Sequence, residues 1–300
     1  MIITVIGASG FLGQNTIRHL LATTSYTIRA FCRSADSLKF ETSHPERLEL
    51  ITGDALDQAD LRRALAGADV AIYLVHMMGN TSGDFYDLEA IAAAEMAAAA
   101  NHSKVGRIIF MGGLGRDSAT VKLSKHLASR HNTGFVLREH GNLVIEFRAS
   151  MIIGTGSVAY DIVRTIAHRL PLLMVPSWAV TQTQPIALDD ALRYITAAIT
   201  LDITTSHIIQ IGGPRQMTYE DLVQLYGRSI GRRPRVYVLP FVPHWLASAW
   251  ISLFMPKKHS GIALPMVESL SNAMIVTDGS ARKFFPDIHP RPIETIFTEK

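Results

Sequence analysis

The chain of 300 residues is 48% apolar and 18% charged, with a mean hydropathy of +0.18, a composition that excludes a disordered tail and a fibre. Its 29 basic and 26 acidic residues leave a net charge of +3, so the pI near 9.0 reflects a small surplus and no nucleic-acid partner is expected. The single cysteine, Cys32, rules out an internal disulfide and a multi-cysteine metal site. No basic leader precedes the apolar start MIITVI and no run of about 18 apolar residues spans a bilayer, so a cytoplasmic location is expected.

Ile2 to Ile6 is short, β-rich and apolar, as a parallel strand covered by helices on both faces must be. The turn GASGFLG follows, then a helix over Gln14 to Ala22 with Ile17, Leu20 and Leu21 at helical spacing. Thr27 to Cys32 and Arg47 to Ile51 read as the second and third strands, Gln58 to Leu65 as a short helix, and Val70 to Val75 as the fourth strand. Phe85 to His102 is a long alanine-rich helix of high intrinsic propensity. Arg107 to Met111 is the fifth strand, ended by Gly112 and Gly113. Ser124 to Glu139 is helical, Val144 to Ala149 a strand, and Tyr160 to His168 a helix stopped by Pro171. Gln184 to Ile186 leads as a short strand into a helix beginning at Asp189 or Asp190, and Ile208 to Ile211 is the last core strand. Thr218 and Asp221 form a capping-box pattern that opens a helix to Ile230. Short apolar strands separated by helix-sized strings imply right-handed crossovers and a doubly wound, mainly parallel α/β sheet. The expected division is a Rossmann body over residues 1–155 plus 180–212 and a smaller, mostly helical lobe from 156–179 plus 213–300.

Gly7, Gly10 and Gly13 stand as G-x-x-G-x-x-G between the first strand and the first helix. The first allows a tight turn, the second close approach of backbone to a pyrophosphate, and the third close packing of helix on sheet. The helix start offers unpaired N–H groups to the phosphates, and Ala8, Ser9, Phe11 and Leu12 belong to the same cradle. An NAD-preferring site places an acid about 20 residues further on. Here the stretch is FCRSADS, with Arg33 and no acid before Asp36. A guanidinium pairs with a 2′-phosphate, so Arg33 points to NADP(H). Asp54, followed by Ala55, either meets the adenine edge or caps the next helix, and both readings stay open. His76, Met77 and Met78 follow the fourth strand on the carboxyl-end rim where open α/β sheets bind ligands, with His76 a candidate proton donor.

These motifs continue with TGD at 52–54, YLVHMMG at 73–79, D-x-x-x-x-A from Asp87, VGRIIFMGGLG at 105–115, EFRASMIIGTGS at 146–157 and QPIALDDALRYI at 184–195. In this order they resemble the atypical, extended branch of the short-chain dehydrogenase/reductase superfamily over nearly the whole chain. Most similar in character are the NmrA-like NAD(P)-binding proteins and the Rossmann accessory subunit of respiratory complex I. The resemblance implies a doubly wound sheet, a small carboxyl-terminal lobe closing a substrate cleft, and no metal. It also implies a Tyr-x-x-x-Lys pair, yet none of the tyrosines at 26, 73, 86, 160, 194, 219, 226 and 237 is followed by lysine four residues on. The matching helix carries Leu127 in the tyrosine position and His131 in the lysine position, while Gly112 and Gly113 replace the serine-rich strand end. His131 is therefore a candidate for ribose contact and proton donation, and Gly112 joins it among the cofactor-site candidates.

The twelve histidines are scattered without HExxH, so no metal site is expected. His126 and His131, five apart on one helix, are poorly placed to share a ligand. Arg228, Arg232, Arg233 and Arg235 read as a solvated turn, with contact to an anion or acidic lipid as the alternative. Residues 239–258, with Trp245, Trp250 and Phe254, either line a cleft or lobe core or meet a membrane surface or protein partner. The oligomeric state stays open. Together these features imply an NADPH-dependent oxidoreductase for a small or medium apolar carbonyl or enone, or alternatively a non-catalytic NADP(H)-binding redox sensor or complex-assembly subunit.

Overall fold

The computed structural model describes residues 1–38, 42, 44–77, 84–116, 122–169, 172–176, 180–232, 235–239, 242–243, 245–246 and 268–298. Met78, Arg233 and most of 239–258 lie outside the described residues.

The body begins with β1 (Ile2–Ile6), α1 (Phe11–Thr23), β2 (Thr27–Cys32) and β3 (Leu48–Thr52), followed by α2 (Gln58–Leu65) and β4 (Val70–Tyr73). It continues through α3 (Phe85–His102), β5 (Arg107–Gly113), α4 (Lys125–Glu139), β6 (Val144–Ala149), β7 (Ile152–Ile153), α5 (Val158–Arg169) and β8 (Leu172–Pro176). After β9 (Gln182–Thr183), β10 (Ile186–Ala187) and α6 (Leu188–Ala198) come β11 (His207–Ile211), β12 (Met217–Thr218), α7 (Tyr219–Ser229) and β13 (Arg235–Leu239). Two short helices close the described chain, α8 (Ser280–Phe284) and α9 (Ile293–Thr298).

Seven strands form one sheet in the order β11-β6-β5-β4-β1-β2-β3, every neighbouring pair parallel. This is the doubly wound Rossmann arrangement, and the direction of winding reverses between β1 and β4. The apolar strands are buried because helices cover both faces. On one face Ile3, Val5, Ile72, Ile145 and Ile209 pack against α1 and α6. On the other, Ile6, Ala71, Ile108 and Phe110 pack against α2 and α3, whose Ala92, Ala93, Ala97 and Ala100 are fully buried. Alanine there serves two ends, strong helix propensity and close approach of helix to sheet.

Three expectations shift in detail. The fourth strand ends at Tyr73 rather than Val75: Leu74 N–H still bonds the Ile6 carbonyl, but the chain then leaves the ladder and opens towards the rim. The strand expected at Gln184 to Ile186 is two pieces, β9 and β10, because Pro185 between them has no N–H to give to a ladder. Phe285, in the stretch assigned by sequence to the lobe, is buried on the body against Phe147 and Tyr194, just past α8 and its contact with β11. Its aromatic area is withdrawn from water there, which local sequence does not reveal. The capping box at Thr218 and Asp221 is present, with both reciprocal hydrogen bonds.

The lobe has its own apolar cluster, in which α5, α7 and α9 meet through Val163, Leu222, Tyr226 and Phe297. The short parallel pair β8 and β13 stands apart from the main sheet. Trp245 and Leu246 of the 239–258 stretch are exposed. Among the described residues no helix is long and apolar enough to cross a membrane.

A buried charge sits in the middle of β6. Glu146 is fully buried and paired with Arg138 of α4 and with Arg148, whose Nε lies 2.6 Å from Oε1. Removing one partner of such a group leaves the others desolvated without compensation, at a cost of about 3 to 5 kcal/mol. Glu146→Ala is expected to lose stability on that scale in urea denaturation, and a loss below about 1 kcal/mol would show that the guanidinium groups regain water.

Candidate functional site

The glycine turn is built where β1 meets β4. Gly7 has φ +90, and a Cβ on it would lie 2.9 Å from the Leu74 carbonyl carbon and oxygen, so neither conformation nor space admits a side chain. A Cβ on Gly13 would fall 2.3 Å from the Gly7 carbonyl oxygen, which lets α1 lie against the turn only with glycine there. Gly7 and Ala8 both donate their N–H groups to the Phe31 carbonyl, fastening the turn to the end of β2. The N-cap of α1 is Gly10, with no side-chain cap and no acid in the first turn. The helix start is thus left to an anionic ligand, as a pyrophosphate cradle requires.

From this turn a cleft of about 590 Å³ runs along the carboxyl ends of the strands. It brings together Gly7, Ser9, Gly10, Arg33, Asp54, Ala55, His76 and Met77, which the sequence proposed separately. A cradle that a Cβ would fill, a guanidinium at the end of β2 and a rim at the switch point fit a dinucleotide. Other proposed positions stand off the cleft lining. Ala8 is buried, Leu12 packs on the core, and Phe11 approaches Gly156 of the lobe. Gly112 leaves room for the Glu146 carboxylate, which a Cβ would meet at 3.2 Å. His131 Nε2 lies 3.0 Å from the Gly113 carbonyl oxygen. Of the two readings of Asp54, the helix-cap reading fails: the N-cap of α2 is Asp57, which accepts from Ala59 and Asp60 N–H groups. Asp54 instead accepts from Leu56 N–H in a tight local turn at the cleft wall.

A polar cluster that the sequence did not single out lies behind His76. Glu89, on the otherwise apolar inner face of α3, is 2% exposed. Its Oε1 accepts from His76 Nδ1 at 2.7 Å and from Met77 N–H at 3.0 Å, and its Oε2 accepts the Ser129 hydroxyl at 2.5 Å. Arg130 stands 3.7 Å away and donates to the carbonyls of Val75 and Met111, closing the ends of β4 and β5. Burial alone raises the Glu89 pKa, but the His76 hydrogen bond and the Arg130 charge outweigh it and hold the carboxyl well below the usual range. An ionised Glu89 requires the proton of His76 to sit on Nδ1. His76 Nε2 then faces His126 Nε2 at 3.1 Å, with the two ring planes 14° from parallel and the ring centres 5.0 Å apart. His126 Nδ1 meets the Ser269 hydroxyl at 3.0 Å, and Ser269 meets Ser124, the N-cap of α4, at the same distance.

Burial lowers the His76 pKa further than the Glu89 hydrogen bond raises it. Burial, with the charges of His76 and Arg130, pushes His126 down to about 3. Both imidazoles are therefore neutral near neutral pH. The expectation that His126 and His131 do not share a ligand agrees with this geometry, since one faces His76 and the other Gly113. The trace available in the sequence was Glu89 itself, an acid on the same helical stripe as Ala92, Ala93 and Met96. Among the described residues no group of three or more metal-ligating side chains occurs.

A glycine turn, a parallel sheet in this order and a cleft across its switch point define a dinucleotide-binding Rossmann protein. Residues 7–164 match the NAD(P)H-binding family model, and the chain belongs to that family. It is 25% identical over 254 residues to the Arabidopsis thaliana mitochondrial NADH dehydrogenase [ubiquinone] 1 alpha subcomplex subunit 9, covering 80% of this chain and 61% of the relative's length. Citrobacter sp. triphenylmethane reductase complexed with NADP(H) shares the fold at 15% identity and a TM-score of 0.75, over 100% of this chain and 99% of that chain. So does a nucleoside-diphosphate-sugar epimerase from Staphylococcus aureus, at 15% identity and a TM-score of 0.76, over 100% of both chains.

The polar cluster gives stability a defined pH dependence. A group whose folded pKa lies below its unfolded value takes up protons more readily in the unfolded chain, so acid favours unfolding. For His126 the window runs from 6.5 down to about 3, while Glu89 contributes only below the ordinary carboxylate range. Between about pH 7 and about pH 5, urea denaturation should show stability falling, with His126 contributing at most ~1.4 kcal/mol per pH unit below its unfolded pKa. His126→Gln should flatten that slope, and an unchanged slope would mean that His126 titrates alike in folded and unfolded chains.

Proposed function

We propose that this protein is an NADPH-dependent reductase acting on a small or medium apolar carbonyl or enone. The observation that carries the reading is the single cleft joining the glycine turn and Arg33 at one end to His76 and Met77 at the other. Gly7, Ser9 and Gly10 would cradle the pyrophosphate, and Arg33 would pair with the 2′-phosphate, where no carboxylate on the β2 end repels it. When bound, the reduced nicotinamide supplies the two electrons and one hydrogen that the substrate gains. This chain's own part is to orient both molecules, exclude water and provide a proton. The apolar character proposed for the substrate rests on the apolar residues that line the cleft beside His76, namely Leu74, Val75 and Met77. Leu127, which stands in the tyrosine position, is buried in the core and has no proton to give.

That substitution, with the similarity to a subunit of an NADH dehydrogenase complex, supports a second reading, a cofactor-binding assembly or sensor protein without turnover. Calorimetric titration should show tighter binding of NADPH than of NADH, with Arg33→Ala narrowing the difference by about 1 to 3 kcal/mol. Equal affinities in the parent protein would refute the preference. Oxidation of NADPH over a panel of apolar ketones, aldehydes and enones separates the two readings: turnover of any member supports the reductase, and binding without consumption supports the second.

A further inference from the structure

We propose that His126 is the proton donor of this site, and that Glu89, His76, Ser269 and Ser124 position and recharge it in place of the missing Tyr-x-x-x-Lys pair. The inference rests on the reductase reading of the cleft and adds to it the group that completes the chemistry.

The hydrogen-bond geometry admits one direction of donation. The buried Glu89 carboxylate has no proton and accepts from three donors, His76 Nδ1, Met77 N–H and the Ser129 hydroxyl. His76 therefore keeps its proton on Nδ1 and, as a neutral ring, presents a lone pair at Nε2. The 3.1 Å contact between the two Nε2 atoms then needs a proton on His126. With Nε2 of His126 protonated, its Nδ1 accepts from Ser269, whose hydroxyl in turn accepts from Ser124. Ser269 has one proton and gives it to His126, so in its contact with Ser124 the Ser124 hydroxyl is the donor, while the Ser124 oxygen also accepts from Leu127 N–H. The charge on Glu89 sets the polarity of the contacts that run through His76 to His126.

The mobile proton is consequently that of His126 Nε2. Its resting acceptor, His76, lines the cleft and keeps 35% of its side-chain surface exposed. A carbonyl oxygen entering beside His76 competes for that proton. As the substrate is reduced, the oxygen that gains the carbonyl electron pair takes the Nε2 proton and becomes a hydroxyl. Nδ1 of His126 takes the Ser269 proton, Ser269 takes that of Ser124, and half-buried Ser124 draws one from solvent; once the alcohol leaves, Nε2 takes a proton from water in the cleft and Nδ1 returns its proton to solvent along the same serines. The imidazole ends neutral, so no net charge is stranded beside Arg130. His131 is bound to the Gly113 carbonyl and stands outside this chain. The charged groups facing His126 are Glu89 of α3 and Arg130 of α4, the other titratable group is the neutral His76 after β4, and the neighbouring Lys125 is paired with Asp84.

Two readouts test the proposal. In 15N-resolved NMR of the cofactor-free protein at neutral pH, His126 should carry its proton on Nε2 and His76 on Nδ1. A proton on Nδ1 of His126 overturns the proposal whatever the activity. In turnover, His126→Gln should bind NADPH within about twofold of the parent while reducing the carbonyl at least about 100-fold more slowly, the scale of a lost general acid. Ser269→Ala, which leaves the imidazole in place, should slow it about 10-fold and shift the His126 Nδ1 resonance. A His126→Gln protein that keeps more than half the parent rate removes the role of His126 and leaves the reductase reading intact. A parent protein that binds NADPH and consumes it with no carbonyl removes both.

Discussion

The site depends on one desolvated carboxylate. Glu89 is held almost wholly out of water on a helix whose neighbouring inward positions are alanine and methionine. An ion in that position is tolerated only when its lone pairs are filled and an opposite charge is near. Filling them fixes everything around it: the tautomer of His76, the backbone at Met77, the rotamer of Ser129 and the place of Arg130. A rim loop that would otherwise be free to vary is thereby tied to two helices. The polarity of a hydrogen-bond chain reaching Ser124 follows from the same charge.

The sheet places this charge where it matters. β4 and β5 are neighbours in the middle of the sheet, and their ends point to one side of it. Carbonyls at strand ends have left the ladder and need donors. Arg130 supplies two of them, at Val75 and Met111, while its guanidinium lies 4.7 Å from the centre of the Phe110 ring. Across the switch point, the Gly7 turn presses against the Leu74 backbone with no room for a Cβ. The cofactor cradle and the polar cluster thus flank the same few residues after β4.

The lobe side completes the cluster from outside the body. Asn272 holds the start of α4 by accepting from Ser124 N–H and donating to the Lys122 carbonyl, and this places Ser269 against His126. The same segment is anchored further on, where Met274 exchanges backbone hydrogen bonds with Gln182 and Gln184 beside β9. It contributes a hydroxyl to the network and fixes the helix that carries both histidines.

The amino-acid sequence by itself determined the class of the fold. Apolar strands, an alanine-rich helix and three glycines at a strand-to-helix turn depend on local spacing, and their periodicity survives without any knowledge of contacts. The residues lining the cleft were legible for the same reason: Gly7, Arg33, Asp54 and His76 each follow closely on the end of a strand, Gly10 caps the helix after the first, and parallel strands end on one side. The polar cluster was not legible, because its members lie 13, 50 and 143 residues apart at its three successive contacts. No short-range pattern links Glu89 to His76, or His126 to Ser269. Counting four residues along a helix pointed to His131, yet helix rotation decides which face meets the strand ends, and it turns His126 towards His76 and His131 towards Gly113. Only the tertiary packing of α3, α4 and the 268–272 segment around one buried charge made that choice, since desolvation is a property of the assembled core and of no single stretch of chain.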